Sequence, residues 1–170
     1  SIEFEIGRNG KGLVVGPLFG AASLAITIPN FFVGNPVHLL ERFDPEAVLR
    51  GMDEEKTTTT FLAPPMLDAI FSLPEEIKEK YDVSSMESII SVGAPLMTAT
   101  KEQTLQFFPG IKLNEFYGAS EHGGSTNLFP EYMALKDRSV GLPMLGMEVK
   151  IVDEAGNEVK QGEVGEIVVK

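Results

Sequence analysis

Three short runs rich in β-branched and apolar residues, each closed by glycine or proline, constrain this chain more than any other feature. Leu13-Val14-Val15 ends at Gly16-Pro17, Thr57 to Leu62 ends at Ala63-Pro64-Pro65, and Ser88 to Val92 ends at Gly93-Ala94-Pro95. β-Branched and aromatic residues suit the pleated, buried surface of a strand, and Gly/Pro pairs terminate it. A further run, Ile111 to Phe116, follows Pro109-Gly110, and Asn9-Gly10 marks a tight turn before the first. Helical grammar lies between these runs. Asp44 before Pro45 is an N-cap with proline at the first helical position, and Val48, Leu49 and Met52 form one apolar face. Met66 to Phe71 reads as a helix stopped by Leu73-Pro74. Thr100 with Gln103 predicts a capping box for a helix running towards Phe108. Ala21 to Ile28 fits either a buried helix or an extended piece, because periodicity does not separate the two.

Strands alternating with helices predict βαβ units and a parallel sheet. After Gly141-Leu142-Pro143 the pattern changes: Val149 to Val152, a turn at Glu154-Ala155-Gly156-Asn157, and a strand at Gly165 to Val169 are hairpin grammar. The expected fold class is α/β. A parallel-sheet βαβ subdomain over residues 1–143 would be followed by a small antiparallel β element over residues 144–170.

Charge narrows the partners. With 25 acidic and 14 basic residues in 170, the net charge is −11, which argues against nucleic acid and anionic membranes. Zero cysteine excludes disulfides, thiolate zinc and a cysteine nucleophile, and two histidines make a His-rich metal site poor. Leu13 to Leu40 lacks Asp, Glu, Lys and Arg, yet Pro17, Pro29 and Pro36 interrupt it. Lipid penalises broken backbone hydrogen bonding, so the expectation is a protein interior and no membrane span. The opening from Ser1 lacks a signal-peptide pattern, and the chain is expected to be cytoplasmic.

In an open parallel sheet, ligands gather beyond the carboxyl ends of the strands. Gly93-Ala94-Pro95 and Tyr117 to Gly124 are expected to be two such loops, joined by one crossover and facing one crevice. The second offers an aromatic ring, glycines that admit close backbone approach, the Ser120 hydroxyl and the Glu121 carboxylate. These groups suit a nucleotide and Mg²⁺, which takes only one or two protein carboxylates. Each residue has a plainer reading too: Gly118 as a positive-φ strand end, Tyr117 as core, Glu121 as a cap. A hydrolase built on Ser120 and His122 fits badly, because His122 replaces the second glycine of Gly-x-Ser-x-Gly. Gly7-Arg8-Asn9-Gly10-Lys11-Gly12 matches no phosphate-loop pattern. His38 is expected to be structural.

The ordered set of these motifs resembles the AMP-forming acyl-CoA synthetases and their adenylate-forming relatives. Gly16-Pro17-Leu18-Phe19 is similar to the segment that opens the family's acyl pocket, and Arg42-Phe43-Asp44-Pro45-Glu46 and Ala63-Pro64-Pro65-Met66-Leu67 to the helix and strand end after it. Gly93-Ala94-Pro95-Leu96 resembles the small-residue loop beside adenine. Tyr117-Gly118-Ala119-Ser120-Glu121 resembles the Tyr-Gly-x-Ser/Thr-Glu signature, and Val140-Gly141-Leu142-Pro143 with the stretch from Glu148 through Gly165-Glu166-Ile167 the segment leading into a β-barrel subdomain. The resemblance implies that Tyr117 stacks on adenine, with Phe116 and Glu115 beside it, and that Gly118 permits close approach. It implies that Ser120 bonds the α-phosphate, Glu121 holds Mg²⁺, and the Gly93-Ala94-Pro95 backbone forms a pocket wall. Ser120 and Glu121 are the implied catalytic residues; Phe19, Gly20 and Gly123 are the implied acyl-pocket residues.

The implied reaction consumes a carboxylic (fatty) acid, ATP and coenzyme A. The acid gives an acyl-adenylate and pyrophosphate, and then a thioester with release of AMP. Two positions depart from the family pattern: Gly20, followed by Ala21 and Ala22, stands where many relatives have His, and Glu115 where many have Asn or a small polar residue. The family's phosphate loop, ribose-binding Asp and C-terminal Lys domain have no counterpart. The chain is therefore expected to be an internal fragment that needs the remainder of the same polypeptide and does not adenylate acids alone. An amino-acid adenylation domain, a luciferase-like relative, or a non-catalytic stand-alone nucleotide-binding module remain open alternatives.

Overall fold

A computed structural model describes residues 6–170. Its elements are β1 (Gly12–Val14), α1 (Ala21–Val33), β2 (Val37–Leu39), α2 (Pro45–Glu54), β3 (Thr59–Phe61), α3 (Pro64–Phe71), α4 (Glu75–Lys78), β4 (Ser88–Val92), α5 (Thr98–Phe107), β5 (Lys112–Ala119), β6 (Gly123–Leu128), α6 (Pro130–Met133), β7 (Leu142–Pro143), β8 (Val149–Val152) and β9 (Glu166–Val169). The larger sheet has the order β2-β1-β3-β4-β5-β6-β7. Its first five strands pair in parallel, and β6 and β7 close the edge antiparallel. β8 and β9 form a separate antiparallel pair. The mixed α/β class, with a mostly parallel sheet and a small antiparallel one, is thus the observed architecture.

Local signals account for much of this. The Asp44 carboxylate accepts the Ala47 N–H at 2.7 Å, and Pro45 occupies the first turn of α2, where its missing N–H costs nothing. Side chains alternate along each strand, so β1 is packed on both faces. At Gly12 a side chain would meet Ile26 and Asn30 of α1, whereas the next residue, Leu13, lies against Gly51 of α2. α1 therefore covers one face, and α2, in contact with α3 and α4, covers the other. The buried residues Leu13, Leu49, Met52, Leu62, Leu67, Ile70, Ile89 and Leu113 belong to the core.

α1 is inverted relative to an ordinary surface helix. Ser23, Thr27 and Asn30 are buried with Ile26, while Leu24, Ile28, Phe31 and Phe32 are turned outward. Hydrogen bonding makes the polar interior tolerable. Thr27 Oγ1 donates to Ser23 O, and Asn30 Nδ2 donates to Ile26 O and to Thr59 Oγ1. Asn35 Nδ2 donates to Asn30 Oδ1.

One open choice is resolved and two expectations are corrected. The open segment Ala21 to Ile28 is helix, continuing to Val33 with Gly34 as a left-handed C-cap (φ 83°). Thr100 caps nothing: α5 begins at Thr98 after Met97, and Thr100 lies inside it, its hydroxyl bonded to Asp68 Oδ1 of α3 at 2.8 Å. A threonine already within a helix spends its hydroxyl on a tertiary partner, which local sequence does not reveal. The expected loop from Tyr117 to Gly124 is mostly strand, because β5 runs to Ala119 and β6 returns from Gly123. β2, β6 and β7 had no strand signal of their own. No helix among the described residues is long and apolar enough to cross a membrane.

Candidate functional site

β4, α5 and β5 form the crossover that brings the two expected loops together. β4 delivers Gly93 in the left-handed region (φ 95°), a conformation that favours glycine. β5 pairs with β4 along Ser88 to Val92, so that Val92 sits opposite Phe116. Beyond Phe116 the register slips between Tyr117 and Gly118, and the chain turns through Ser120, Glu121 and His122. Two glycines make this hairpin possible. A side chain at Gly118 would collide with the Gly123 carbonyl, and one at Gly124 would occupy the space of the Phe116 ring. Phe116 therefore lies across Gly124.

A cleft of about 650 Å³ opens between this hairpin, the tips of β3 and β4, and helix α1. Of the sequence-predicted residues, Gly20, Gly93, Phe116, Gly118, Ser120 and Gly123 line it. Phe19, Ala94, Pro95, Glu115, Tyr117 and Glu121 are not among its lining residues. Phe19 is 90% exposed, and Glu121 lies on the exposed hairpin turn. Beyond Ala21 and Ala22, which the sequence marks beside Gly20, the sequence reading missed Leu24, Ala25, Ile28 and Pro29 of α1, and Phe61, Ile90, Val92 and Met144. Strand alternation could have found two of these, since Ile90 and Val92 share a face.

Alternation also puts Glu115 and Tyr117 on the face of β5 opposite Phe116. There the Glu115 carboxylate, 5% exposed, accepts the Leu96 N–H at 2.9 Å and ties the strand to the segment after Gly93-Ala94-Pro95. Burial pushes the Glu115 carboxyl above the ordinary carboxylate range, opposed by the Leu96 N–H and the charge of Lys101. Lys101, on α5 and nearly buried, donates to Met133 O at 3.1 Å and pairs with Asp137, so it holds α6 and the following turn behind the hairpin. The Lys101 hydrogen bond in turn holds the Asp137 carboxyl below its usual value.

His122 is engaged by Ser125, Nδ1 to Oγ at 2.9 Å, an arrangement unlike a Ser120 general base. The Gly7 to Gly12 stretch leads into β1, of which Gly12 is the first residue, and so lies at the amino edge of the sheet, away from the cleft. Lys11 there pairs with Glu55 at 2.8 Å, which holds the Glu55 carboxyl low, and His38 Nδ1 is 3.8 Å from the same carboxylate. Among the described residues no group of three or more His, Cys, Asp or Glu could hold a metal ion, so a cation at the hairpin would find Glu121 as a lone carboxylate. That fits a hard cation which takes its other oxygens from phosphate and water.

Residues 3–170 match the family model described as AMP-binding enzyme. The chain belongs to that family. A feruloyl-CoA synthase from an Amycolatopsis species is 32% identical over 170 residues, covering 99% of this chain and 34% of the relative. The medium/long-chain-fatty-acid–CoA ligase FadD8 of Mycobacterium tuberculosis is 33% identical over 173 residues, covering 98% of this chain and 29% of the relative. Among solved structures, the O-succinylbenzoate coenzyme A synthetase MenE of Bacillus subtilis, in complex with ATP and magnesium ion, superposes with a TM-score of 0.82. It is 25% identical, with 99% of this chain and 34% of that one covered. The chain thus spans about a third of the length of these AMP-binding relatives.

Proposed function

We propose that this chain forms part of the acid- and nucleotide-binding body of an AMP-forming carboxylic acid–CoA ligase, with a fatty acid as substrate. The convergence of Gly93, Phe116, Gly118 and Ser120 on one apolar cleft at the carboxyl ends of β4 and β5 carries this reading. In it, the nucleotide spans the hairpin tip. Tyr117 offers a face for adenine, with Gly93-Ala94-Pro95 as the opposing wall. Glu115, two residues before Tyr117 on the same face of β5, would accept from the adenine amino group through an ionised carboxylate. Ser120 donates its hydroxyl to the α-phosphate. Glu121 would hold Mg²⁺, whose chemistry there is to neutralise phosphate charge.

The protein's task in the first half-reaction is positioning and electrostatic support. The apolar cleft takes the tail of the acid and leaves its carboxylate at the Ser120 end. A carboxylate oxygen attacks the α-phosphorus and the bond to pyrophosphate breaks. In the second half, the sulfur of coenzyme A forms a bond to the acyl carbon, AMP leaves with the carboxyl oxygen, and the thiol proton goes to solvent. Residues outside this chain complete the phosphate, ribose and coenzyme A sites.

The test is AMP release from acid, ATP, Mg²⁺ and coenzyme A by the whole polypeptide that contains this chain, with hydroxylamine trapping of the acyl-adenylate. AMP and hydroxamate formed in an acid-dependent way are expected from the whole polypeptide. The 170-residue chain alone is expected to form neither. Failure of the whole polypeptide to form AMP with any carboxylic acid would overturn the reading.

A further inference from the structure

Lys101 is a buried cation that the chemistry above leaves unused. Its side chain, 7% exposed, extends from α5, donates to Met133 O at 3.1 Å and pairs with Asp137. Taking an ammonium out of water is costly, and an apolar side chain of similar volume would fill the same space. Packing alone gives no reason for a charge there.

Glu115 is the other buried ionisable group of this region. Oε1 accepts the Leu96 N–H at 2.9 Å, and Oε2 has no hydrogen-bond partner among the described residues. The segment that supplies Leu96 runs straight into α5, which starts at Thr98 and carries Lys101 in its first turns. Few groups face the carboxylate. Ser91 of β4 is its register partner and buries a hydroxyl that bonds to nothing, and Leu128 of β6, opposite, is apolar. α5 contributes Lys101, whose counter-charge Asp137 is 61% exposed. Burial raises the Glu115 carboxyl, while the Leu96 N–H and the Lys101 charge oppose it. Solvent ions screen buried charges little, so Lys101 acts on Glu115 without touching it.

The state of Glu115 decides which purine suits it. An ionised carboxylate only accepts, so it matches the 6-amino group of adenine and meets a 6-oxo group acceptor to acceptor. A protonated carboxyl can donate to that 6-oxo group.

We infer that Lys101 is a positioning residue acting through Glu115, holding it as an acceptor-only carboxylate that selects a 6-amino over a 6-oxo purine nucleotide. This rests on the ligase reading above.

The test measures acid-dependent pyrophosphate release by the whole polypeptide with ATP and with inosine triphosphate, from acidic to mildly alkaline pH. Wild type is expected to favour ATP in kcat/KM by at least ~10²-fold at mildly alkaline pH, because a site that pairs a substrate N–H rejects the analogue lacking it. That preference is expected to decline as pH falls and Glu115 takes its proton. Lys101→Met is expected to lose it at a higher pH than wild type, and Lys101→Arg, which keeps the charge, to restore the wild-type position. Glu115→Gln, whose amide both donates and accepts, is expected to show a weak preference at every pH. A purely structural Lys101 would alter stability, or the rates with both nucleotides alike, and leave the pH at which selectivity is lost unmoved. Asp137→Asn, at an exposed position, strips Lys101 of its counter-charge and is expected to move the loss to lower pH, so the proposal stays testable if the Lys101 variants do not fold. Selectivity independent of pH in wild type overturns the inference and leaves the ligase reading standing. So does an unshifted profile in folded Lys101→Met, or in Asp137→Asn where Lys101→Met does not fold. Absence of pyrophosphate release from wild type with every acid and either nucleotide instead brings down the ligase reading.

Discussion

The Glu115 carboxylate and the Leu96 backbone N–H, 2.9 Å apart, join the centre of β5 to the segment between β4 and α5. That bond adds to the β4–β5 ladder, which pairs Val92 with Phe116, in tying the segment after Gly93-Ala94-Pro95 to the strand that carries Tyr117. Glu115→Gln keeps an acceptor at the same place, whereas Glu115→Ala leaves a buried N–H unsatisfied and is expected to cost about 1–3 kcal/mol. Amide exchange at Leu96 should accelerate in the alanine variant and stay slow in the glutamine variant; equal protection in all three proteins would mean that the bond does not hold the loop.

The same carboxylate gives a pH signature. Burial raises the Glu115 carboxyl in the folded chain, so the native state binds its proton more tightly than the unfolded state. Its contribution to stability is therefore greatest below the ordinary carboxyl value and declines as pH rises through the window between that value and the raised one. Glu115→Gln removes this decline. Melting temperatures of the two proteins across the acidic range should diverge in favour of the variant as pH increases; parallel curves would show that Glu115 is not strained by burial.

Lys101 and Asp137 are unequal partners. Lys101 is 7% exposed and Asp137 61%. Lys101→Met removes a charge from the interior and leaves a solvated carboxylate, so stability is expected to change by less than about 1 kcal/mol. Asp137→Ala leaves a buried ammonium with only the Met133 carbonyl, and is expected to be the more destabilising of the two changes. Denaturant unfolding of both variants checks the order, and a costlier Lys101→Met would reverse the argument.

Gly118→Ala is expected to destabilise the chain by about 1–3 kcal/mol, since the added methyl meets the Gly123 backbone, which cannot swing aside as a side chain can. Thermal unfolding measures it. The hairpin should open at the same time, seen as faster amide exchange at Ala119 and Gly123.

Glu121→Ala in the whole polypeptide is expected to slow acid-dependent adenylation ~10²–10³-fold, the usual effect of removing one electrostatic partner of a transition state. Thioester formation from a preformed acyl-adenylate should change much less. Adenylation at the parent rate would remove the metal-holding role from Glu121.

Much of this was legible in the chain itself. The β-branched runs closed by Gly and Pro, and the Asp44-Pro45 start of α2, are local signals, and each was realised within a few residues. They fixed the α/β class and marked Gly93 and the residues around Gly118 as strand-end positions, because strand propensity, chain termination and capping act over a few residues. Tertiary structure decided the rest. Thr100 looks like a cap and is instead a link to Asp68, and Tyr117 to Gly124 looks like a loop and is instead a hairpin. The face of β5 each residue occupies separates Phe116 from Glu115 and Tyr117, and the inversion of α1 turns alanines towards the cleft. These features depend on which surfaces meet across the sheet, a long-range choice that no window of neighbouring residues encodes.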